Sequence, residues 1–180
     1  MNLKRPSKAK KVAVVGPEST GKSSLSEFLA SHFKTNWVPE YARGYLDNLT
    51  RPYQQHDLLT IARGQIRLED KYAYDSQDLL ICDTNLYVIK VWSQYKYGTC
   101  HPEILNHIAT RKYDLYLLTY IDLPWIPDPL REHPEKREEL FNIYLNEMKR
   151  QSVPCVVIKG QGEQRQRAAV KAIEKLVLGK

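Results

Sequence analysis

The sequence predicts an α/β domain with a mostly parallel sheet of about five strands and helices on both faces. Three observations predict it. Short apolar, β-branched runs alternate along the chain with stretches of helical period. None of the main runs alternates polar and apolar residues, as a strand with one wet face would. The first run ends in a glycine-bounded loop that opens directly into a helical stretch.

Residues 11–15 (KVAVV) read as the first buried strand, ending at Gly16. A helix follows over 22–33, with Leu25, Phe28, Leu29 and His32 on one face. Val38 falls in a short second strand, and 40–49 in a helix. Over 54–75, Leu58, Ile61, Ala62, Gln65, Ile66 and Tyr72 recur close to the 3.6 period of a longer helix. Residues 79–82 form a third strand, which ends at Asp83. Helices are expected over 85–97, stopped by Gly98, and over 101–110, with Pro102 near the start.

Residues 115–118 form the fourth strand. Pro124, Pro127, Pro129 and Pro134 make 121–134 a loop. A helix over 134–150 aligns Phe141, Leu145 and Met148. A fifth strand covers 155–158, and a helix over 165–177 closes the chain through Ala169, Ile173, Leu176 and Val177.

A chain of 180 residues suffices for one domain with a sizeable core. No apolar run approaches the roughly 20 residues that span a bilayer. The N-terminus is basic but has no apolar stretch, so it does not read as a secretory signal, and a cytoplasmic location is expected. Cys82, Cys100 and Cys155 lack the close spacing of a zinc or redox pair, and reduced thiols are expected. The net charge is +6, but Lys4, Arg5, Lys8, Lys10 and Lys11 precede any acid and leave only +1 for the rest. Residues 1–10 are therefore expected to be a basic, disordered tail and 11–180 a single domain. Nucleic acid is not the expected partner, and neither is a membrane.

Gly16-Pro17-Glu18-Ser19-Thr20-Gly21-Lys22-Ser23 satisfies G-x-x-x-x-G-K-[ST] in full, in the strand–loop–helix setting that the motif requires. The glycines let consecutive N–H groups turn inward onto phosphate oxygens. Lys22 brings a mobile charge to the β- and γ-phosphates. Ser23 offers a hydroxyl to Mg²⁺, and Ser24 continues the positive end of the helix. The pattern marks a P-loop domain that takes ATP with Mg²⁺.

Asp83 closes the third strand, at the sheet end where ligands of such folds bind. There it either joins Ser23 around the metal or meets the acceptor hydroxyl. Capping of the next helix by Asp83 or Thr84 is the plainer role. The proline-bounded loop carries Trp125, Asp128 and Arg131, with Arg137 on the helix beyond. A stiff loop with arginine forks suits a lid over the transferred phosphoryl group; surface pairing of the arginines with Glu132, Glu135, Glu138 or Glu139 is the alternative. Trp37, Glu40, Tyr41 and Arg43 offer an aromatic, a carboxylate and a cation for an acceptor, with Glu40 and Arg43 one helical turn apart. Trp92, Tyr95 and Tyr97 read as core aromatics, and Gly160-Gln161-Gly162 as a flexible loop near an adenine base.

From Lys11 onward the chain resembles the ribosylnicotinamide kinase domain of NadR-type proteins. GPESTGKSSL (16–25), PEYAR (39–43), IARGQ (61–65), ICDT (81–84), YDLYLL (113–118), DLPWIPDPLR (122–131) and VVIKG (156–160) carry the resemblance. It implies a nucleoside/nucleotide-kinase-like P-loop fold. It also implies transfer of the ATP γ-phosphate to the ribose 5′-hydroxyl of nicotinamide riboside. By the same resemblance Gly16 to Ser24 bind ATP, Asp83 meets the ribose, Glu40, Tyr41 and Arg43 border the acceptor, and Trp125, Asp128 and Arg131 form the lid. One departure is Pro39, where the family places an aromatic against nicotinamide; Trp37 lies two residues earlier. No H-x-G-H motif occurs, so a stand-alone kinase is expected.

Two other classes use the same loop. A polynucleotide 5′-end kinase would need salt-sensitive binding, which the near-neutral body disfavours. A regulatory P-loop ATPase would hydrolyse ATP without regard to any nucleoside. The sequence lacks the N-K-x-D that reads guanine.

Overall fold

The computed structural model describes residues 9–180. Its elements are β1 (Lys10–Val15), α1 (Lys22–Phe33), β2 (Asn36–Val38), α2 (Tyr41–Asp47), α3 (Gln55–Asp75), β3 (Leu79–Asp83), α4 (Leu86–Tyr97), α5 (Pro102–Thr110), β4 (Leu115–Thr119), α6 (Arg137–Lys149), β5 (Cys155–Ile158) and α7 (Gly162–Ile173). The strands form one parallel sheet in the order β2-β3-β1-β4-β5. The alternation read from the sequence is thus realised as a five-stranded parallel sheet covered on both faces.

Every residue of β3 and β4 is buried, which explains why neither strand alternates in polarity. Successive side chains still leave opposite faces of the sheet. Val12 and Val14 of β1 pack with Leu25, Leu29 and Ala30 of α1 and Ala169, Ala172 and Ile173 of α7. Ala13 and Val15 pack with Ala73 of α3, Tyr87 and Val91 of α4, and Phe141, Tyr144 and Met148 of α6. A third cluster joins Ala42, Leu58, Ile61, Leu86, Ile89 and Ile104 beneath α2–α5 and steadies the wall beside β2. Leu29 and Ile81 are fully buried, and truncating either to alanine costs about 2–5 kcal/mol.

Several boundaries follow expected devices. Gly98 ends α4 with φ 74°, and His101 caps α5 ahead of Pro102. Others moved. β1 opens at Lys10, and Ala9 is already buried, so the ordered domain begins inside the segment expected as a tail. Lys10 and the Lys11 backbone N–H both bond Asp114, at 3.0 and 2.8 Å. Residues 1–8 of that expected tail lie outside the described residues. In α1 the inner face is Leu25, Ser26, Leu29 and Ala30, with His32 at the surface. α7 begins at Gly162, and its chain continues into a π turn (Glu174–Leu178). The wider turn shifts the helical phase, so Leu176 is exposed rather than buried. Cys82, Cys100 and Cys155 are all free thiols. Among the described residues, no helix is long and apolar enough to cross a membrane.

Candidate active site

The cleft lies at the carboxyl ends of the strands, with the β1–α1 loop as its floor. Gly16 has φ 140°, and a Cβ there would stand 2.5 Å from Thr119 Oγ1 and 2.9 Å from the Thr119 carbonyl oxygen, so only glycine fits. Gly21, at φ 71°, caps α1 without a side chain, leaving the first-turn amides open to an anion. Thr20 Oγ1 lies 2.8 Å from the Pro17 carbonyl and 2.7 Å from Thr119 Oγ1, which pins the loop to β4. Lys22 Nζ donates to the Pro17 carbonyl at 2.7 Å. Burial pulls the Lys22 ammonium below its ordinary pKa, against the pull of Glu40, Asp83 and Glu18.

Asp83, at the end of β3, is 1% exposed, and its Oδ1 has no hydrogen-bond partner. Burial first, then the nearby Glu40 carboxylate, push its pKa up to about 6, while the Ser23 hydroxyl and Lys22 oppose the rise. The capping alternative for Asp83 and Thr84 does not hold. Asn85 caps α4, accepting the Tyr87 N–H at 3.0 Å. Thr84 bends the chain between them with φ 68°. Asp83 is thereby left beside Lys22 and Ser23 with an unused buried oxygen.

The proline-bounded loop lies against the phosphate loop. Ser19 Oγ accepts the Ile126 N–H at 2.8 Å and lies 3.4 Å from Arg131 Nη1, which also bonds the Ile126 carbonyl. Arg137 Nη1 donates to the carbonyls of Ser19 and Leu123 at 3.3 and 2.8 Å, and its guanidinium lies 5.8 Å from the Trp125 ring centre. Neither arginine pairs with a neighbouring glutamate; Lys136 takes Glu139 instead, at 3.3 Å. The Glu18 carboxylate accepts the N–H groups of Glu132 and His133 at 3.1 and 3.0 Å. Glu18 and Ser19 are thus lid latches as well as members of the loop.

Residues 16–24 line the cleft together with Glu40, Arg43 and Arg131. Arg43 does not pair with Glu40 across their helical turn; its Nη1 bonds both oxygens of Asp128. Tyr41 packs over Gly64 of α3, and its N–H donates to Gln65 Oε1 at 2.8 Å, so it sets the α2–α3 contact rather than lining the cleft. Trp37 faces the wrong way for an acceptor site. On β2, its neighbour Val38 joins the core on the α3–α6 side, so Trp37 lies on the opposite face and packs in the α1–α7 layer.

The aromatic wall comes instead from Trp92, Tyr95 and Tyr144, with Val88, Val91 and Leu130 between them. Trp92 and Tyr95 read as core residues because, on helical spacing alone, an inward-facing residue cannot be told from a cleft-facing one. Arg165 carried no signal within a polar helix. It is 4% exposed, donates to the carbonyls of Thr20, Tyr120 and Gly160 at 2.7, 3.2 and 3.0 Å, and pairs with Asp122 at 2.8 Å. It locks the back of the phosphate loop to the ends of β4 and β5. The 160–162 segment is bound into this lock through the Gly160 N–H on Asp122, and Gly162 belongs to α7; the segment does not line the cleft. Among the described residues, no group of three or more His, Cys, Asp or Glu side chains is placed to hold a metal.

Sheet order, phosphate loop, buried strand-end carboxylate and arginine-bearing lid define a P-loop domain of the nucleotide-kinase-like type. The chain belongs to the family described as the AAA domain, which matches residues 11–165. It is homologous to the trifunctional NAD biosynthesis/regulator protein NadR of Salmonella typhimurium, at 27% identity over 164 residues. The NadR protein of Escherichia coli matches equally, and either match covers 86% of this chain and 39% of the relative. The chain thus spans well under half the length of the curated relatives it matches. Among solved structures, a NadR protein in complex with NR superposes with a TM-score of 0.83 at 22% identity, covering 96% of this chain and 53% of that one. A thymidylate kinase from Ehrlichia chaffeensis superposes at 0.66 and 16% identity, over 93% and 98% of the two chains. These likenesses establish the fold.

Proposed function

We propose that the chain is an ATP-dependent kinase acting on the ribose 5′-hydroxyl of nicotinamide riboside. The observation that carries this reading is Asp83, a buried carboxylate with an unpartnered oxygen, set beside Lys22 and Ser23 at the mouth of the phosphate loop. A strand-end carboxylate can hold Mg²⁺ in any P-loop ATPase; what favours a phosphotransferase over a switch is that Asp83 stands beside a cleft with a second, aromatic wall where an acceptor could lie. The homology to NadR and the NR bound by one NadR structure favour this acceptor. The wall of Trp92, Tyr95 and Tyr144 suits a flat base.

In this reading the loop amides and Lys22 hold the triphosphate, and Arg137 keeps the loop in shape through the Ser19 carbonyl. Asp83 directs the hydroxyl and takes its proton. Arg131, tied to the loop through Ser19, neutralises charge on the moving phosphoryl group. Arg43 holds the lid by Asp128 while the lid excludes water. A divalent cation fits the orphaned Asp83 oxygen and the adjacent Ser23 hydroxyl. With only Asp83 and the nearby Glu40 as carboxylates, the choice would be Mg²⁺, which would keep most of its shell as water and phosphate oxygen. Bound Mg²⁺ would offset the charge of the β- and γ-phosphates.

The test is a panel of nucleosides with ATP and Mg²⁺, nicotinamide riboside included, read by mass spectrometry. Gain of one phosphate on nicotinamide riboside supports the assignment. Phosphorylation of another nucleoside alone removes the acceptor, and ATP hydrolysis indifferent to all of them removes the kinase.

A further inference from the structure

Glu132 joins the two halves of the cleft. Its N–H, with that of His133, donates to Glu18 in the phosphate loop. Its carboxylate is held from the acceptor side, where Oε1 accepts from Lys96 Nζ at 2.8 Å and Oε2 from the Tyr53 hydroxyl at 2.5 Å. The Tyr53 oxygen in turn accepts from Trp92 Nε1 at 2.8 Å and from Lys96 Nζ at 2.6 Å. The Lys96 ammonium stands 3.9 Å above the Tyr53 ring centre. Trp92 lines the aromatic wall. An unbroken series of hydrogen bonds therefore runs from the phosphate loop through the lid to the acceptor wall.

As a stability device the series is weak. The side chains of Lys96 and Glu132 are 32% and 33% exposed, and an ion pair so placed contributes under about 1 kcal/mol. Its geometry suits a different use. Its links to Glu18, Glu132 and Lys96 are charge-assisted, hence short and directional, and each ends on a group whose position matters to one substrate. Glu132 is the one lid residue that bonds the phosphate loop through its backbone and α4 through its side chain.

We propose that Glu132 is a positioning residue that couples the two substrate sites. A nucleotide in the phosphate loop fixes Glu18. Glu18 then fixes the Glu132–His133 backbone, and the Glu132 carboxylate, through Tyr53 and Lys96, fixes Trp92 against the acceptor base. The inference rests on the cleft being a two-substrate kinase site. By linkage, each substrate tightens the other by the same factor.

The test compares the parent with Glu132→Gln, Tyr53→Phe and Lys96→Met, each checked for cooperative unfolding. The dissociation constant of nicotinamide riboside is measured with and without Mg²⁺ and AMP-PNP. In a Trp37→Phe, Trp125→Phe background, Trp92 emission is followed as AMP-PNP is added alone. In the parent, AMP-PNP should tighten the riboside by about tenfold and change Trp92 emission. In Glu132→Gln and Tyr53→Phe both effects should vanish, and in Lys96→Met, which keeps the Glu132–Tyr53–Trp92 bonds, they should weaken severalfold; each ligand's affinity measured alone stays within about threefold, an outcome that general loosening of the fold would not give. If Glu132→Gln does not fold, Tyr53→Phe and Lys96→Met read the same link from its far side. Coupling and emission change that persist in folded Glu132→Gln or Tyr53→Phe, or undiminished in Lys96→Met, overturn the proposal. A parent that binds no AMP-PNP overturns the kinase reading and the proposal together. A Glu132-dependent emission change without riboside binding sustains the proposal and removes only the acceptor.

Discussion

Arg43 Nη1 lies 2.9 and 2.8 Å from the two carboxylate oxygens of Asp128, so helix α2 holds the proline-bounded loop directly. The Leu130 N–H and Arg43 together keep the Asp128 carboxyl below its usual pKa. Asp128→Ala should leave the protein folded, with a loss below about 1 kcal/mol because the pair is part exposed. It should raise the acceptor KM by about tenfold or more, since lid closure then lacks its tie to α2 and keeps only the Glu132 links to Tyr53 and Lys96 on that side. Steady-state kinetics with varied nucleoside check this.

Lys22→Ala and Asp83→Asn should each cut phosphoryl transfer by about a hundredfold or more without unfolding the domain. The stability of Asp83→Asn has a calculable sign. A carboxyl raised from 3.8 to about 6 keeps its proton longer in the folded chain than in the unfolded one. Its ionisation therefore removes stability as pH rises from about 4 to about 6, and the whole cost is present above that. In metal-free buffer, the Asn variant should gain in Tm relative to the parent between pH 4 and pH 7. A Tm difference flat across that window would refute the burial of a charged Asp83.

Arg165→Ala removes a buried guanidinium that bonds three carbonyls and Asp122. Asp122 keeps some solvent, so the expected loss is at the low end of buried-pair deletions, about 3 kcal/mol. Urea unfolding reads it. Mg-ATP affinity should fall as well, because the Thr20 carbonyl loses the donor that sets the back of the phosphate loop.

Gly64→Ala would put a Cβ within 2.1 Å of the Tyr41 ring. The ring must move, at about 1–3 kcal/mol. Since Tyr41 opens α2, Arg43 would shift with it. The acceptor KM should therefore rise more than the ATP KM, although Gly64 does not line the cleft.

The sequence made legible what local chemistry dictates. Residues 16–23 are fixed by the geometry of a phosphate cradle, and Asp83 by its place at a strand end, so both could be named without a fold. The lid was legible through its prolines, since no helix or central strand tolerates four of them in a dozen positions. Trp37 was misassigned because a three-residue strand is too short to reveal its facing. Trp92 and Arg165 depend on contacts across 39 and 145 residues of chain, which no local pattern encodes. Glu18, an unconstrained position of the motif, acquires its role only when Glu132 and His133 come to rest over it.

β1 is the middle strand, hydrogen-bonded on both sides to β3 and β4. Its amides can meet solvent only if the whole sheet opens, so they should be the last in the chain to exchange with deuterium. The phosphate loop is rooted in that slowest-breathing strand, whereas the lid, which leaves the end of β4, is held over the cleft by a few hydrogen bonds to Glu18, Ser19, Arg43 and Lys96. A substrate entering here would meet an anvil on one side and a hammer on the other, and turnover would be timed by the hammer.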